Sequence, residues 1–190
     1  CETSVAHQHQ LHVATASRTE WGEPDALVAA QGLHFTTLNR LPQAGLAARL
    51  LPLWNRTRPD QPQDWPYAPY SLRRFEQEMV EPDALALEHS YALVTANQQI
   101  VGVTLNTLAP VIQAGGQCLF TVYSAVDPDY RRRGLATALK VKLIAHAQAH
   151  NISFLAAEND ARNSAMCRIN QRLGYRRLAD LSTYSKTVGR

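Results

Sequence analysis

The sequence predicts an α+β domain whose core is a mixed, mostly antiparallel sheet flanked by helices. Three strand-like segments, 90–96, 99–108 and 117–126, follow one another with only short turns between them. From residue 134 onward the pattern changes to helix, strand, helix and strand. An antiparallel meander that leads into a strand–helix–strand unit indicates one sheet with helices packed against it.

The segments before the meander are assigned from their apolar spacing and from the residues that break it. Residues 33–41 are rich in β-branched and aromatic side chains and predict a strand. Residues 44–56 carry leucines at helical intervals and predict a helix. The stretch 57–71 holds four prolines, which exclude a regular element and predict a loop. Ser71 is the expected N-cap of a helix that runs to Met79.

Two helices and a buried strand are predicted after the meander. Residues 134–150 carry leucines on one helical stripe, with Lys140 and Lys142 off it. Residues 152–158 predict a short buried strand, and residues 161–173 predict a second helix that ends at a glycine. One or two further strands close the chain.

The composition excludes several classes of protein. With 45% hydrophobic and 18% charged residues, the chain is typical of a folded domain. A net charge of +3, with only one arginine cluster, argues against a dedicated nucleic-acid binder. Three widely spaced cysteines and seven histidines form no metal motif and no disulfide framework, so we expect no metal and a reducing, cytoplasmic setting. The apolar runs are too short to span a bilayer, and no membrane partner is expected.

The stretch VDPDYRRRGLATALK, residues 126–140, places three arginines directly before a glycine and a helix. A helix N-terminus has unpaired N–H groups and a positive dipole end, so it suits an anion such as phosphate. Gly134 and Ala136 allow a ligand close to the backbone, and guanidinium groups suit phosphate oxygens. The spacing matches neither a dinucleotide fingerprint nor a P-loop, which favours a diphosphate that is not hydrolysed. Taken alone, the arginine run also fits a solvated turn or a nucleic-acid patch.

The motif Arg131-x-x-Gly134-x-Ala136 resembles the Gln/Arg-x-x-Gly-x-Gly/Ala signature of the GNAT acyl-CoA-dependent N-acetyltransferases. Downstream, NDARNSAMCRINQRLGY (159–175) is similar to that family's second signature, in which an Asn opens a helix that ends in Leu-Gly-Phe/Tyr. The predicted elements also follow the GNAT order, so the resemblance covers about residues 33–190. It implies the GNAT fold, with a sheet splayed at the cofactor site. It also implies an N-acetyltransferase that moves an acetyl group from acetyl-CoA to a primary amine of a small molecule or peptide.

A narrower resemblance concerns the organisation of the chain. Three segments look like the second half of bacterial proteins that carry two GNAT domains in tandem. Residues 1–31 are then an N-terminal extension or the remnant of a preceding domain, and residues 32–190 form the acetyltransferase domain. Within the first part, only a strand candidate at 11–15 and a brief helix at 23–32 stand out. We expect a monomer or a homodimer.

The resemblance also assigns the cofactor site. It implies that pantetheine lies along the end of the strand at Ala125 and that the Val126 N–H binds the thioester oxygen. It implies that backbone N–H groups of the arginine–glycine turn bind the diphosphate. Met166 fits the core as well as the cofactor site. The implied cofactor-binding residues are Ala125, Val126, Arg131, Arg132, Arg133, Gly134, Leu135, Ala136, Thr137, Asn159, Asn163 and Met166.

Direct transfer to an amine needs a base for the amine and an acid for the leaving thiolate. Many GNAT members place a tyrosine four residues before the glycine of Leu-Gly-Phe, but this chain has Asn170 there. Tyr123, Ser124 or solvent are the candidates for the acid, and departure of the thiolate without direct help is the alternative. Glu158 is the candidate base, with a solvated loop acid as its alternative. The absent tyrosine also leaves open a non-catalytic acyl-CoA-binding domain.

The proline-rich loop is the candidate acceptor pocket. We expect Trp65 and Tyr67 to form its walls, and Asp60 or Asp64 to attract the amine, although either acid also fits an ordinary surface position. No nucleic-acid partner is expected.

Overall fold

A computed structural model describes residues 2–16, 21–62, 67–80, 85–111 and 116–184, and these form one seven-stranded sheet flanked by helices. The strands are β1 (Glu2–His12), β2 (Leu33–Thr37), β3 (Tyr91–Thr95), β4 (Ile100–Val111), β5 (Gly116–Val126), β6 (Phe154–Asp160) and β7 (Arg176–Tyr184). The α-helices are α1 (Pro24–Ala29), α2 (Leu46–Thr57), α3 (Leu72–Phe75), α4 (Leu135–Ala149) and α5 (Ser164–Arg172). The order across the sheet is β2-β3-β4-β5-β6-β1-β7, and only β5 and β6 are parallel.

The predicted antiparallel meander is confirmed as β3, β4 and β5. Its side chains alternate between two cores, as the pleat of a strand requires. Ala92 and Val94 belong to a cluster that also contains Leu50 and Trp54 of α2. Leu93, between them, belongs to a cluster with Leu139 of α4. The sheet is therefore covered on both faces, which fits the predicted mixed α+β class.

The sheet opens between β5 and β6. These strands pair only where Cys118–Thr121 lies beside Phe154–Ala157. Beyond that point β5 continues to Val126 and β6 to Asp160, without pairing to each other. A bulge at Val122 shifts the pairing of β5 with β4 just where the separation begins. We call the space between these two unpaired strand ends the gap.

The start of the chain is part of the sheet. β1 pairs antiparallel with β6 on one side and with β7 on the other. The strand candidate at 11–15 had the wrong bounds, because the strand ends at His12 and Val13–Thr15 is a 3-10 turn. β1 buries the polar His9, so the strand lacks the apolar alternation by which strands are usually found. The domain boundary after residue 31 stays a prediction.

Three other elements differ from their predicted form. The strand predicted over 33–41 ends at Thr37, and Leu38–Arg40 is a 3-10 turn. The Ser71 hydroxyl caps α3 as expected, accepting a hydrogen bond from the Arg74 N–H at 3.3 Å. The rest of that predicted helix is a π-helix over 76–80. Lys140, expected off the apolar stripe of α4, is nevertheless only 1% exposed.

Candidate active site

The turn between β5 and α4 is fixed by side-chain contacts. The buried Asp127 carboxylate accepts a hydrogen bond from the Asp129 N–H at 3.0 Å. Arg131 donates from Nε to the Val126 carbonyl at 3.0 Å, and its Nη2 lies 2.7 Å from the Asp60 carboxylate. Two of the three arginines are thus tied within the turn or to its neighbours, because Arg133 also donates to the Asp129 carbonyl at 2.9 Å.

The N-terminus of α4 follows this turn and is open to a ligand. Gly134 is its N-cap with φ of 79°, a left-handed conformation that favours glycine, and no side chain of a described residue caps the helix there. The first helical hydrogen bond runs from the Ala138 N–H to the Gly134 carbonyl at 2.9 Å. The preceding N–H groups therefore lack a partner within the helix, as at every helix start, and they carry the positive end of its dipole. We call residues 131–137 the anion end.

A groove connects the anion end to the gap. A cavity of about 310 Å³ is bounded by Arg131 and Ala136 at the anion end and by Ser124 and Met166 toward the gap. A second cavity, of about 350 Å³, fills the gap itself and shares Ser124 and Met166 with the first. Its lining residues are Ser4, Ala6, Arg58, Gln61, Pro62, Thr121, Val122, Tyr123, Ser124, Lys140, Ala157, Glu158, Asn159, Asp160, Asn163 and Met166. One ligand can therefore extend from the anion end into the gap.

Polar side chains at the gap are only partly satisfied. The Ser124 Oγ is buried without a hydrogen-bond partner among the described residues. Asn170 is fully buried and donates from Nδ2 to the Asn159 Oδ1 at 2.7 Å, while its own Oδ1 has no described partner. Asn163 caps α5 by accepting a hydrogen bond from the Met166 N–H at 3.3 Å. Buried polar atoms are nearly always paired, so these oxygens mark places for a ligand or for water.

A basic group lies beneath the gap. Lys140 of α4 lines the gap cavity, and its ammonium nitrogen lies 5.1 Å from the centre of the Tyr175 ring. Burial lowers the pKa of Lys140 to about 8. His9 of β1 is also buried, and burial lowers the pKa of its imidazole below the usual value. Neither the His9 Nδ1 nor the Tyr175 hydroxyl has a hydrogen-bond partner in the part of the chain that the structure describes.

The comparison with known families agrees with this geometry. A family model described as the acetyltransferase (GNAT) family matches residues 49–175, which is more than half of the chain. The chain belongs to the GNAT family. The resemblance to this family that the two sequence motifs carry is therefore confirmed. A search of curated protein sequences found no match.

Solved structures show the same fold at low sequence identity. A GCN5-related N-acetyltransferase from Sphaerobacter thermophilus has a TM-score of 0.63 and 17% identity, over 96% of this chain and 51% of that one. NAA60 of Arabidopsis thaliana, in complex with a bisubstrate analogue, has a TM-score of 0.55 and 16% identity over 76% and 83%. AAC(6')-Iy, in complex with the bisubstrate analog CoA-S-monomethyl-acetylneamine, has a TM-score of 0.56 and 17% identity over 82% and 99%. The chain thus spans about half the length of the Sphaerobacter protein.

The GNAT fold brings the predicted cofactor residues together along one groove. Val126, Arg131, Arg132, Gly134, Leu135, Ala136 and Thr137 line a pocket of about 220 Å³ at the anion end. Ala125 and Asn163 line the connecting cavity, and Asn159 and Met166 reach the gap. Arg132 is exposed, with φ of 60°, and no hydrogen bond or ion pair to a described residue is seen for it. Of the three arginines it is the one available to an incoming anion, and the binding role of each stays a prediction.

The predicted catalytic residues of this GNAT domain differ in whether their side chains are already hydrogen-bonded. The Tyr123 hydroxyl is hydrogen-bonded to the Thr57 hydroxyl at 2.6 Å, and its ring packs 4.4 Å from the Trp54 ring. Burial raises the pKa of Tyr123 to about 12. Ser124 has an unpartnered hydroxyl, and Glu158 is an exposed carboxylate on the wall of the gap cavity. Their catalytic roles stay predictions.

The two acceptor candidates that the structure describes, Asp60 and Tyr67, do not line the same cavity. Asp60 lines the connecting cavity but is paired with Arg131. Tyr67 donates a hydrogen bond to the Asn55 side chain and stacks against Tyr70, and it is not among the residues that line the gap cavity. Asp64 and Trp65 lie outside the described residues. The assignment of these residues to the acceptor stays a prediction.

Sequence reasoning missed the N-terminal and buried contributors to the groove. Trp21 and Leu27 line a cavity of about 230 Å³ beside Gly134 and Thr137, although both precede the predicted domain. Lys140 could have been found, because it follows Ala136 by one helical turn and so lies on the same face of α4. His9 carried no such signal. Among the residues that the structure describes, no helix is long and apolar enough to cross a membrane, and no cluster of side chains suits a metal ion.

Proposed function

We propose that the protein transfers an acetyl group from acetyl-CoA to a primary amine of a small molecule or peptide, by direct attack of the amine. The observation that carries this proposal is the continuous groove from the anion end to the gap. Its two ends have the chemistry that this co-substrate needs, a cradle for a diphosphate and a partly buried polar chamber. The bisubstrate analogue bound by AAC(6')-Iy contains CoA, which supports the same ligand here.

The residues of the groove fit acetyl-CoA. The N–H groups of Leu135, Ala136 and Thr137 would bind the diphosphate at the helix N-terminus. From Val122 to Val126 the edge of β5 that faces the gap has no strand partner, so its backbone groups can pair with the amides of pantetheine. When bound, acetyl-CoA supplies the activated acyl group. A backbone N–H at Val126 would then stabilise charge that develops on the thioester oxygen.

The acceptor amine would enter from the acidic side of the gap. Glu158 and Asp160 both line that cavity. Asp160 is held by Arg162, with 2.7 Å between the Arg162 Nη2 and the carboxylate, and this contact lowers the pKa of Asp160 below its ordinary value. Glu158 is exposed and is not part of a described ion pair, so it is the carboxylate free to take a proton from the amine.

One observation favours a second function, a non-catalytic acyl-CoA-binding domain. Asn170 stands where many GNAT proteins have a tyrosine, and its amide is committed to Asn159. An amide cannot protonate a leaving thiolate. If nothing else in the gap supplies that proton, the groove would bind acyl-CoA without efficient turnover.

Two measurements separate these functions. Titration calorimetry measures the affinity for acetyl-CoA, and a thiol-release assay measures turnover over a panel of amines that includes an aminoglycoside, glucosamine and a peptide with a free N-terminus. We expect binding, together with thiol release that depends on at least one amine. Binding without release for any amine would support the binding domain instead, and the absence of binding would contradict both functions.

A further inference from the structure

Lys140 is placed to act in the gap rather than to support the fold. Its side chain runs from α4 to the gap cavity, which it shares with Thr121 and Ser124 of β5 and with Ala157 of β6. It is 1% exposed, and no hydrogen bond or ion pair to a described residue is seen for it. A buried ammonium without an acidic partner destabilises a protein, so its position on the cavity wall points to a ligand that completes its contacts.

No described group around Lys140 is seen to accept a hydrogen bond from its ammonium, so the proton can be given to a ligand. His9 faces it from β1, and Tyr175, before β7, places its ring 5.1 Å from the ammonium nitrogen. From β6, Glu158 and Asp160 line the same cavity, and Asp160 is already paired with Arg162. These are the titratable neighbours from the strands that pack against this part of α4.

The remaining groups come from the other elements around the gap. Arg58, after α2, lines the cavity as a second cation. The positive charge of Arg177 on β7 adds to burial in lowering the pKa of the neighbouring His9. From α5, the buried Asn170 contributes an oxygen without a described partner. None of these described groups is a carboxylate in contact with Lys140.

We propose that Lys140 is the proton donor to the thiolate that leaves when the acetyl group is transferred, which rests on the function proposed above. The amine nitrogen attacks the thioester carbonyl carbon, so that a C–N bond forms and the C–S bond breaks. The electron pair of the C–S bond goes to sulfur, which takes the proton of the Lys140 ammonium. The proton lost by the amine passes to Glu158 or water, and Lys140 regains a proton from solvent. The products are the acetylated amine and the free thiol.

The two other side chains that are candidates for this proton are less suitable. The Tyr123 hydroxyl is committed to Thr57, and its raised pKa makes it a poor acid at neutral pH. Ser124 can donate a hydrogen bond, but an alcohol holds its proton too strongly to protonate a thiolate. By contrast, the lowered pKa of Lys140, about 8, lies close to that of a thiol, about 8.5. Proton transfer between groups of matched pKa needs little driving force.

The first test compares two variants that differ in charge. Lys140→Met removes the charge and the proton and keeps a side chain of similar size. Lys140→Arg keeps the charge, but a guanidinium does not give up its proton at neutral pH. We expect both variants to bind acetyl-CoA within about threefold of the wild type and to lose kcat by about a hundredfold or more. We also expect the wild-type kcat to fall above pH about 8, as the ammonium deprotonates, and this alkaline limb to be absent from both variants. If Lys140→Arg retains wild-type kcat, Lys140 acts through its charge and the proposal is wrong.

The second test needs no turnover and therefore separates this proposal from the proposed function. The chain has three lysines, Lys140, Lys142 and Lys186, so their side-chain NMR signals can be assigned with the Lys140→Met variant. CoA and desulfo-CoA are then compared as matched ligands that differ only at sulfur. We expect CoA to raise the pKa of Lys140 relative to desulfo-CoA, because a thiolate beside it favours the ammonium. Equal titration with both ligands would overturn the proposal even if the enzyme is active. A difference without turnover would leave the contact in place and contradict the proposed function alone.

Discussion

Helix α4 holds two basic side chains away from water in different ways. His146 is hydrogen-bonded at both ring nitrogens, with Nδ1 2.8 Å from the Tyr91 hydroxyl and Nε2 2.7 Å from His89 Nδ1. Its ring also stacks on His150, with 3.9 Å between the centroids. Lys140, less than two turns earlier, has a cavity on one side and no described hydrogen-bond partner.

This difference separates a structural cluster from a candidate functional one. A polar network whose members are all paired stabilises one arrangement of the elements that carry it, here α4, β3 and the turn before β3. A buried base without a hydrogen-bonding or acidic partner costs free energy in the unliganded protein, and such costs concentrate at functional sites. Replacing the two residues should therefore change stability in opposite directions, and only Lys140 should respond to a ligand.

The largest expected effect tests whether a ligand reaches Lys140 from the anion end. Gly134→Glu places a carboxylate at the helix N-terminus, where it would occupy the anion site and repel a diphosphate. A Cβ at Gly134 would meet the Leu27 Cδ1 at 3.4 Å, an ordinary contact, so there is space for the side chain although the left-handed backbone is strained by any residue other than glycine. We expect acetyl-CoA binding, measured by calorimetry, to weaken at least a hundredfold, which is about 2.7 kcal/mol.

Gly45→Glu is the matched control for this variant. Gly45 is the N-cap of α2 and has φ of 76°, close to the 79° of Gly134, so both substitutions carry a similar backbone strain. Gly45 does not line the groove. Unchanged affinity in a folded Gly134→Glu protein, or an equal loss in both variants, would remove the anion end from the binding site.

The next prediction compares Lys140 with His146 by the direction in which replacing each residue changes the free energy of unfolding. Lys140→Met should raise the free energy of unfolding at pH 7 by about 1–3 kcal/mol, because it removes a desolvated charge and keeps the packed volume. His146→Leu should lower it by about 1–3 kcal/mol, because it leaves the Tyr91 hydroxyl and His89 Nδ1 unpaired. Urea denaturation of the two variants measures both changes. A loss of stability in Lys140→Met would show that Lys140 has a structural role. Lys140 and His146 would then no longer differ in kind.

The pH dependence of the same experiment checks the cause. The folded pKa of Lys140, about 8, lies below its unfolded value of 10.5, so the unfolded chain holds the proton over the interval between them. Wild-type stability should therefore gain a contribution from this group as pH rises from about 8 toward 10.5. Lys140→Met should lack that gain.

The two ends of the groove also differ in how far the sequence predicts them. The anion end could be predicted because strand, turn and helix are contiguous in residues 126–140 and because a helix N-terminus has the same electrostatics in any protein. The gap could be expected only through the family resemblance and not from local pattern, since its walls come from β1, β5, β6, α4 and α5. Two particular features were hidden. His9 gives β1 a polar interior, and the bulge at Val122 leaves the Tyr123 side chain in the cluster under α2. Both depend on strand pairing, which local propensity does not determine.

The smallest expected effect concerns the hydrogen-bonded cluster of His146, His89 and Tyr91. The measured quantity is the stability of the protein at acidic pH. Burial and the neighbouring histidines lower the pKa of His146 to about 4, below the usual value of 6.5. Between these values the unfolded chain takes up a proton at this residue and the folded chain does not, so stability falls as pH falls from about 6.5 toward 4. Because His146 is only half-buried, solvent reduces the effect, and we expect a loss on the order of 1 kcal/mol.

Two histidine variants isolate this contribution. His146→Gln should flatten the acid limb of the stability curve, whereas His34→Gln, an exposed change on β2, should leave it as in the wild type. Thermal denaturation at pH 7, 6 and 5 measures both. The contrary result is a His146→Gln protein that loses as much stability in acid as the wild type. The His146 ring would then be protonated without breaking its contacts. The cluster could in that case accept a positive charge, much as the gap holds Lys140. The two clusters of α4 would then differ in their partners but not in their response to protons.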